Sequence, residues 1–259
     1  MENTKEIIVV IMAGGLGKRM ESELPKVLHK INGIPMLVHI LFKIILLRSF
    51  VKVKKVLIVV GKYRSIIEEC VGEYIDTQNE RFHFVDQPEA LGTGHAVQCC
   101  RDELLKYVNS TVLVLSGDTP LLSVKTMVDM VHKCDKCRIM TAIFENSRGY
   151  GRIVEKYGVF ERIVEEKDCT EEEREIKKVN CGIYAFDCEV LAQNLPYLTN
   201  NNKQNEYYLT DIIEIIKRNE STIIEMMEIK KEYRLDIMGV NTKEQLDELE
   251  RIMLTNTSN

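Results

Sequence analysis

The chain has 259 residues, of which 45% are hydrophobic and 29% are charged, and its formal net charge is −5 at pH 7. This length is enough for one large α/β domain, and the acidic balance argues against nucleic acid as a partner because no basic excess is present. The start Met1 to Glu6 lacks the features of a signal peptide, and the apolar stretch Ile34 to Leu47 is too short to span a bilayer. We therefore expect a cytoplasmic protein with no membrane partner.

Short apolar runs alternate with helical patterns through the first 145 residues, which is typical of βαβ units and a mostly parallel sheet. The predicted strands are Ile7 to Met12, Val56 to Val60, Phe82 to Val85, Thr111 to Leu115 and Ile139 to Phe144. Helical spacing predicts one helix over Met36 to Leu47 and another from Gly94 to about Val108. Ser123 is placed to cap a third helix.

From about Gly149 the pattern changes to paired segments that predict antiparallel strands. These segments are GRIVE (Gly151 to Glu155), VFERIVEEKD (Val159 to Asp168) and KKVNCGIYAFD (Lys177 to Asp187). Further on, the pattern predicts a loop or short helix over Thr170 to Lys178, helices over Cys188 to Leu195 and Leu209 to Arg218, and a strand ending at Val240. Thr242 and Gln245 then have the spacing of a capping box ahead of a C-terminal helix.

A glycine-rich segment, MAGGLGKRM, follows the first predicted strand. Glycines at the carboxyl end of a buried strand allow backbone N–H groups to approach a phosphate closely. Arg19 excludes a Walker loop and Met20 excludes a dinucleotide fingerprint, because each occupies a position where those motifs need another residue. Arg19 and Lys26 supply cations that suit a nucleoside triphosphate. The alternative is a tight turn with solvated cations.

Two further strand ends carry polar residues. Gly92-Thr93-Gly94 opens a helix and would present N–H groups to an anion or a base edge, while the amide of Gln87 suits a uracil or cytosine edge. Asp118 follows Ser116-Gly117 directly after a buried strand, and Mg²⁺ prefers such carboxylate oxygens together with substrate phosphates. The alternatives are a helix entry that binds no ligand and an Asp that caps a turn.

Eight cysteines without a secretory signal indicate reduced thiols. Cys134 and Cys137 have the spacing of a metal or redox pair, but no second pair of Cys or His residues accompanies them. We therefore expect these two thiols to be incidental.

Taken in order, the motifs of this chain resemble those of the sugar-phosphate nucleotidyltransferase family. The similarity is greatest to the uridylyltransferase domain of the bacterial bifunctional UDP-N-acetylglucosamine pyrophosphorylases. It rests on MAGGLGKRM, PKVL, QPEALGTGHA, GDTPL, GYGRI, IVEEKDCTEEER, VNCGIY, LTNNNKQNEYYLTDII and GVNTKEQL, and it extends over nearly all of residues 7 to 253.

The resemblance implies a Rossmann-like (GT-A type) α/β fold, with a mixed, mostly parallel sheet flanked by helices and a small antiparallel sugar-binding subdomain. It implies a single nucleotidyltransferase domain over residues 1 to 259. The nucleotide-binding part would be about 1 to 148 plus a C-terminal helix at about 242 to 254, and the sugar-binding part about 149 to 241.

The resemblance also implies roles for individual residues. The nucleotide would be bound by Met12, Ala13, Gly14, Gly15, Lys26, Gln87, Gly92, Thr93, Ser116 and Gly117. Arg19 and Lys26 would be catalytic, Gly151, Glu165 and Asn180 would bind the sugar, and Asp118 and Asn241 would hold Mg²⁺. Because Asp118 ends a strand and Asn241 precedes a capped helix, we expect the two to meet at one edge of the sheet.

The implied reaction is the Mg²⁺-dependent transfer of UMP from UTP to N-acetylglucosamine 1-phosphate, giving UDP-N-acetylglucosamine and pyrophosphate. Two alternatives stay open: a uridylyltransferase for another sugar phosphate such as glucose 1-phosphate, and a non-catalytic regulator that binds sugar nucleotides. The presence of Arg19, Lys26, Asp118 and Asn241 favours catalysis. The sequence leaves homo-oligomerisation open.

Three features depart from the family pattern. Ser116 replaces a Tyr or similarly bulky residue, and Cys181 replaces a common Thr. No hexapeptide repeats follow Leu254, so we expect a monofunctional protein without acetyltransferase activity.

Overall fold

A mixed sheet of nine strands forms the centre of the described structure. The computed structural model describes residues 6–15, 17–77, 81–132 and 134–256. The strands, including a separate two-stranded sheet formed by β2 and β3, are β1 (Ile7–Met12), β2 (Lys30–Ile31), β3 (Ile34–Pro35), β4 (Val53–Val60), β5 (Phe82–Asp86), β6 (Thr111–Ser116), β7 (Cys137–Ile143), β8 (Arg152–Lys156), β9 (Val159–Val164), β10 (Lys178–Asp187) and β11 (Glu225–Glu228).

Helices cover both faces of this sheet. The α-helices are α1 (Met36–Leu47), α2 (Arg64–Gly72), α3 (Thr93–Gln98), α4 (Arg101–Leu104), α5 (Val124–Val131), α6 (Glu171–Arg174), α7 (Cys188–Asn194), α8 (Asp211–Asn219) and α9 (Lys243–Asn256). Short 3₁₀ helices occur at Lys18–Met20, Lys26–Leu28, Leu105–Tyr107, Leu195–Tyr197 and Lys231–Ile237.

The strand order is β11-β7-β10-β6-β1-β4-β5. β1 pairs in parallel with β4 and β6, and β4 pairs in parallel with β5. β10 runs antiparallel between β6 and β7, and it also pairs with β8 of the β8-β9 hairpin. The predicted mixed, mostly parallel sheet with an antiparallel part is therefore confirmed.

The burial of β1 explains why this sequence forms a central strand. Ile7, Val9 and Ile11 pack into one core with α1, α2 and α5, whereas Ile8 and Val10 pack into the other core with α3, α7 and α8. Because both faces are covered, an unbroken β-branched run is required rather than an alternating pattern.

Most predicted elements are present with small shifts at their ends, and β1 and α1 have the predicted bounds. The helix predicted from Gly94 to Val108 is wrong as a single element. It divides into α3, α4 and a 3₁₀ turn, because the N–H of Cys100 bonds to the carbonyl of Val97, three residues back, and tightens the turn.

Two predicted strands also need correction. The strand predicted up to Asp168 ends at Val164, because the N–H groups of Asp168 and Cys169 both bond to the carbonyl of Glu165 and turn the chain. The strand predicted to end at Val240 is replaced by the 3₁₀ helix Lys231–Ile237 and an irregular segment.

The side chain of Asp236 explains this second correction. Its carboxylate accepts hydrogen bonds from the backbone N–H and hydroxyl of Ser123 and from the hydroxyl of Thr126. These bonds hold the segment against the first turn of α5 instead of in the sheet. Ser123 also caps α5 as predicted, through a bond from the Thr126 N–H to its hydroxyl oxygen.

The start of α9 differs in one detail from the predicted capping box. The N–H of Gln245 donates to Oγ1 of Thr242 at 3.3 Å, but the Oε1 of Gln245 accepts from the N–H of Asn241 at 2.7 Å, one residue before the cap. This bond ties the backbone of Asn241 to the helix.

No helix within the described ranges has the length and apolar character needed to cross a membrane.

Cys134 follows α5 and Cys137 begins β7, and both are buried. The thiol of Cys134 donates to the carbonyl of Ala185 at 3.4 Å, and burial raises the pKa of the Cys137 thiol well above its ordinary value. A raised pKa keeps a thiol protonated, whereas metal binding and nucleophilic attack need the thiolate. Both cysteines therefore pack as small core residues.

Gly92 provides a test of how the fold is held together near α3. Its φ is +113°, and a Cβ there would lie 2.5 Å from the carbonyl oxygen of Tyr207, which accepts a bond from the N–H of Gly94 at 2.7 Å. Gly158 also has a positive φ, +76°, but open space surrounds its Cβ position.

We expect Gly92→Ala to lower the free energy of unfolding by at least about 2 kcal/mol more than Gly158→Ala, because only the first adds a clash with backbone to the strain. Urea unfolding of both variants measures the difference. Equal losses would contradict the close approach of Tyr207.

Candidate active site

The glycine-rich segment after β1 lies at the carboxyl edge of the sheet. The N–H of Ala13 donates to the carbonyl of Val59, and the N–H of Gly117 donates to the carbonyl of Met12, so the ends of β4 and β6 hold this segment from both sides. A Cβ on Gly14 would lie 2.9 Å from the Oε1 of Gln87, whereas Gly15 faces open space. Gly14 therefore permits a close contact, and Gly15 leaves the surface accessible.

Gln87 lies between the two glycine loops and is only 6% exposed. Its Nε2 donates to the carbonyl oxygen of Gly92 at 3.0 Å. A carbonyl can only accept, so this bond fixes the orientation of the amide and directs Oε1 toward the Gly14 loop. Thr93 follows at the start of α3, where its Oγ1 accepts a bond from the N–H of Leu209 at 3.0 Å.

A cavity of about 460 Å³ opens between these loops. Its lining consists of Met12, Gly14, Gly15, Gly17, Lys26, Val27, Gln87, Ala90, Gly92, Thr93, Ala96, Ser116, Asp118 and Glu206. Most of the residues predicted to bind a nucleotide thus border one cavity. Ala13 and Gly117 are not part of this lining and pack behind the loop. Ala13 is buried, and a Cβ on Gly117 would lie 3.1 Å from the carbonyl oxygen of Met12.

Both predicted catalytic cations point toward Asn241. The Nη2 of Arg19 donates to its Oδ1 at 2.9 Å, and the Nζ of Lys26 donates to the same oxygen at 3.2 Å. Lys26 also forms an ion pair and hydrogen bond with the Oδ2 of Asp118. One ammonium group thus joins the two residues predicted to hold a metal.

Backbone contacts explain how Asp118 and Asn241 meet although they are distant in sequence. The N–H of Val240 donates to the carbonyl oxygen of Asp118 at 2.9 Å, and Asn241 follows directly. The bond from Asn241 to Gln245 then fixes this segment on α9. The expected meeting of Asp118 and Asn241 at one edge of the sheet is therefore observed.

The donor set at this point fits a hard divalent cation. Asp118 offers carboxylate oxygens and Asn241 an amide oxygen, which are ligands that Mg²⁺ accepts. The ammonium of Lys26 contacts both residues, so their oxygens already converge on a positive charge.

The three predicted sugar-binding residues also lie together, outside the lining of the cavity. The N–H of Asn180 donates to the carbonyl of Gly151 at 2.9 Å, and a Cβ on Gly151 would lie 3.6 Å from the Oε1 of Glu165. Burial raises the pKa of Glu165, while its bond from Thr210 partly opposes this effect. Thr210 follows Leu209, whose N–H donates to the Oγ1 of Thr93 in the cavity lining, so the two regions adjoin.

An irregularity in β10 orients Asn180. The register of β10 against β7 shifts between Asn180 and Tyr184, and Gly182 within the shift has a φ of +72°. The side chain of Asn180 accepts from the N–H of Gly182 at 3.2 Å and donates to the hydroxyl of Tyr184 at 2.7 Å. Such bulges redirect side chains next to binding sites.

The Gly149–Gly151 turn is supported by contacts of Arg152 and Glu166 that were not predicted from the sequence. Arg152 is 2% exposed and forms an ion pair with Glu166 at 2.7 Å, and Glu166 also accepts from the N–H of Gly149 at 2.9 Å. The same guanidinium donates to the carbonyl of Tyr150. Arg152 and Glu166 lie in different segments, and an ion pair of this kind leaves no periodic pattern in the sequence. The only sequence signal for it is the presence of opposite charges in GRIVE and EEKD.

The chain is similar in sequence to known proteins. The MobA-like NTP transferase domain family matches residues 9–179 of the chain. The chain is 38% identical over 253 residues to the "Probable UDP-N-acetylglucosamine pyrophosphorylase" of Acanthamoeba polyphaga mimivirus, covering 95% of this chain and 96% of the relative. It is 39% identical over 249 residues to the bifunctional protein GlmU of Clostridium botulinum, covering 94% of this chain and 51% of that protein. The chain thus spans about half the length of this bifunctional relative.

A solved structure supports the fold. A UDP-glucose pyrophosphorylase complexed with UDP-glucose superposes with a TM-score of 0.72 over 96% of this chain and 98% of that one, at 18% identity. This likeness confirms the predicted fold class. The family match and the mimiviral relative show that the chain belongs to the MobA-like NTP transferase family and is a nucleotidyltransferase.

Proposed function

We propose that this protein transfers UMP from UTP to N-acetylglucosamine 1-phosphate in a Mg²⁺-dependent reaction. The observation that carries the proposal is the contact of Lys26 with both Asp118 and Asn241, where Lys26 and Asp118 line a cavity bordered by two glycine loops. The name of the mimiviral relative, which is similar to this chain over nearly its whole length, supports the choice of substrates.

The chemistry requires charge neutralisation and positioning. An oxygen of the sugar phosphate forms a bond to the α-phosphorus of UTP, and the bond from that phosphorus to the bridging oxygen breaks as pyrophosphate leaves with the electron pair. Arg19 and Lys26 neutralise the phosphate oxygens and hold them in line, so no covalent enzyme intermediate is needed. Asp118 and Asn241 would hold Mg²⁺, which would supply further neutralisation of phosphate charge when bound.

The orientation of Gln87 favours uracil over cytosine. Nε2 donates to Gly92 and also lies 3.3 Å from the Nδ1 of His95, so we assign the acceptor Oε1 to the base. Uracil carries a donor at N3, whereas cytosine carries an acceptor there. A uracil can therefore pair with Oε1 through N3–H, whereas a cytosine would have to shift so that its amino group at C4 reaches Oε1.

The buried polar groups of the sugar region favour an acetamido sugar. Glu165 accepts hydrogen bonds from hydroxyls, and Asn180 is buried beside Gly151, whose missing side chain allows close packing against Ile163. A sugar that lacks a hydrogen-bonding group leaves such buried partners unsatisfied.

We expect kcat/KM for N-acetylglucosamine 1-phosphate to exceed that for glucose 1-phosphate by at least about tenfold, the scale of one good polar contact. Pyrophosphate release from UTP with a panel of sugar 1-phosphates measures this ratio, and CTP serves as the control nucleotide. Equal turnover of the two sugars would contradict the sugar assignment, and absence of turnover with every sugar would favour a non-catalytic binding protein.

We expect Asp118→Asn to lower kcat by about a hundredfold or more, equivalent to about 2.7 kcal/mol of transition-state stabilisation, because it removes the charge that balances the cation. Asp129→Asn is the matched control, since Asp129 lies on α5 in an exposed ion pair with Lys125. Steady-state turnover with Mg²⁺ measures both variants. Near-normal turnover of a folded Asp118→Asn protein would reduce Asp118 to a turn residue.

The position of Lys26 predicts that its replacement has opposite effects on metal binding and on nucleotide binding. Its ammonium occupies the oxygens that we assign to the metal, so Lys26 and a divalent cation compete for them. We expect Lys26→Met to tighten Mn²⁺ binding without nucleotide by about threefold or more while weakening UTP binding, because Asp118 loses its counter-charge and the phosphates lose a cation. Electron paramagnetic resonance of free Mn²⁺ and calorimetry with UTP measure the two effects. Lys125→Met is the control, and weaker Mn²⁺ binding to Lys26→Met would contradict the assignment.

A further inference from the structure

Ser116 occupies the last position of β6, two residues before Asp118. Its hydroxyl donates to the Oδ1 of Asp118 at 2.7 Å. A bulky aromatic residue, which the family resemblance would place here, holds any hydroxyl at the far side of a rigid ring and could not make this local bond. The small side chain of Ser116 thus allows a hydrogen bond to Asp118 that an aromatic residue at this position could not make.

The two oxygens of Asp118 have partners of different kinds. Oδ1 accepts from the neutral hydroxyl of Ser116, and Oδ2 faces the ammonium of Lys26. A long flexible Lys side chain can move to a phosphate, whereas a Ser hydroxyl stays next to its own backbone. When Lys26 turns to a phosphate, Ser116 still holds the carboxylate.

The backbone at Ser116 is itself firmly held. Ser116 pairs with Met12 in the parallel ladder between β6 and β1. Its carbonyl oxygen accepts a bond from the hydroxyl of Thr119 at 3.0 Å, which closes the turn that contains Asp118. The Ser116 hydroxyl therefore projects from a rigid strand end.

We propose that Ser116 is a positioning residue that fixes the rotamer of Asp118 and so directs Oδ2 to the cation. This inference rests on the proposed function, in which Asp118 holds the divalent ion. A side chain restrained before the ion arrives loses less conformational freedom on binding, so the contact increases cation affinity.

Ser116→Thr and Ser116→Val form a matched pair, because their side chains have nearly the same shape and differ in the hydroxyl. Both are β-branched and suit a strand. We expect Mn²⁺ binding in the presence of UTP, without sugar phosphate, to be within about twofold of the parent protein for Ser116→Thr and about tenfold weaker for Ser116→Val. Electron paramagnetic resonance of free Mn²⁺ gives these affinities.

The turnover of the same variants separates positioning from general damage. For Ser116→Val the concentration of Mn²⁺ at half-maximal rate should be about tenfold higher than for Ser116→Thr, and saturating Mn²⁺ should bring the kcat values of the two variants together. A merely structural defect would lower kcat without rescue by the ion. Ser116→Ala removes the hydroxyl without added bulk and should behave like Ser116→Val; urea midpoints check that each variant is folded.

Asp118→Asn distinguishes failure of this inference from failure of the proposed function. If Asp118→Asn binds Mn²⁺ as the parent protein does, the metal assignment itself is wrong. If Asp118→Asn weakens binding but Ser116→Thr and Ser116→Val bind equally, the inference about Ser116 is overturned. In an Asp118→Asn background, we expect the difference between the Thr and Val substitutions to fall below about twofold, because the partner charge is gone.

Discussion

The ammonium of Lys26 joins parts of the chain that are remote in sequence, and the arrangement of the whole site depends on it. Its side chain and that of Asp118 are only 15% and 14% exposed, and the same ammonium lies 3.2 Å from the Oδ1 of Asn241. A largely buried charge is costly when it loses its partner, so these three side chains stay together until another charge replaces one of them. The bond between Val240 and the Asp118 carbonyl supports this meeting through the backbone.

Close backbone packing imposes the second constraint on the site. Gly14 and Gly92 leave room for Gln87 and Tyr207, respectively, where any Cβ would collide. The parallel strands β1, β4 and β5 bring these loops to one edge of the sheet, while the antiparallel strand β10 brings Asn180 to the adjoining region. A parallel half thus builds the cavity, and an antiparallel half builds the neighbouring polar region.

The strands and α1 could be predicted because their signal is local. An unbroken apolar run such as Ile7–Met12 needs burial on both faces, and the apolar spacing of Met36–Leu47 fits one helix face. The errors arose where a distant partner decides the conformation. The Asp236 carboxylate draws its segment to α5, and the turn after Val164 brings Glu165 beside Thr210. Periodicity carries no information about such partners.

The class of fold and the strand ends that carry chemistry could be predicted from the hydrophobic pattern and from the common edge of parallel strands, whereas the pairing of Asp118 with Asn241 was implied by the family resemblance. Which atoms face each other is seen only in the tertiary structure. The sharing of Asp118 between Ser116 and Lys26, and the ion pair of Arg152 with Glu166, depend on side-chain rotamers. A rotamer is selected by the charges and packing around it, and those neighbours are assembled only when the chain folds.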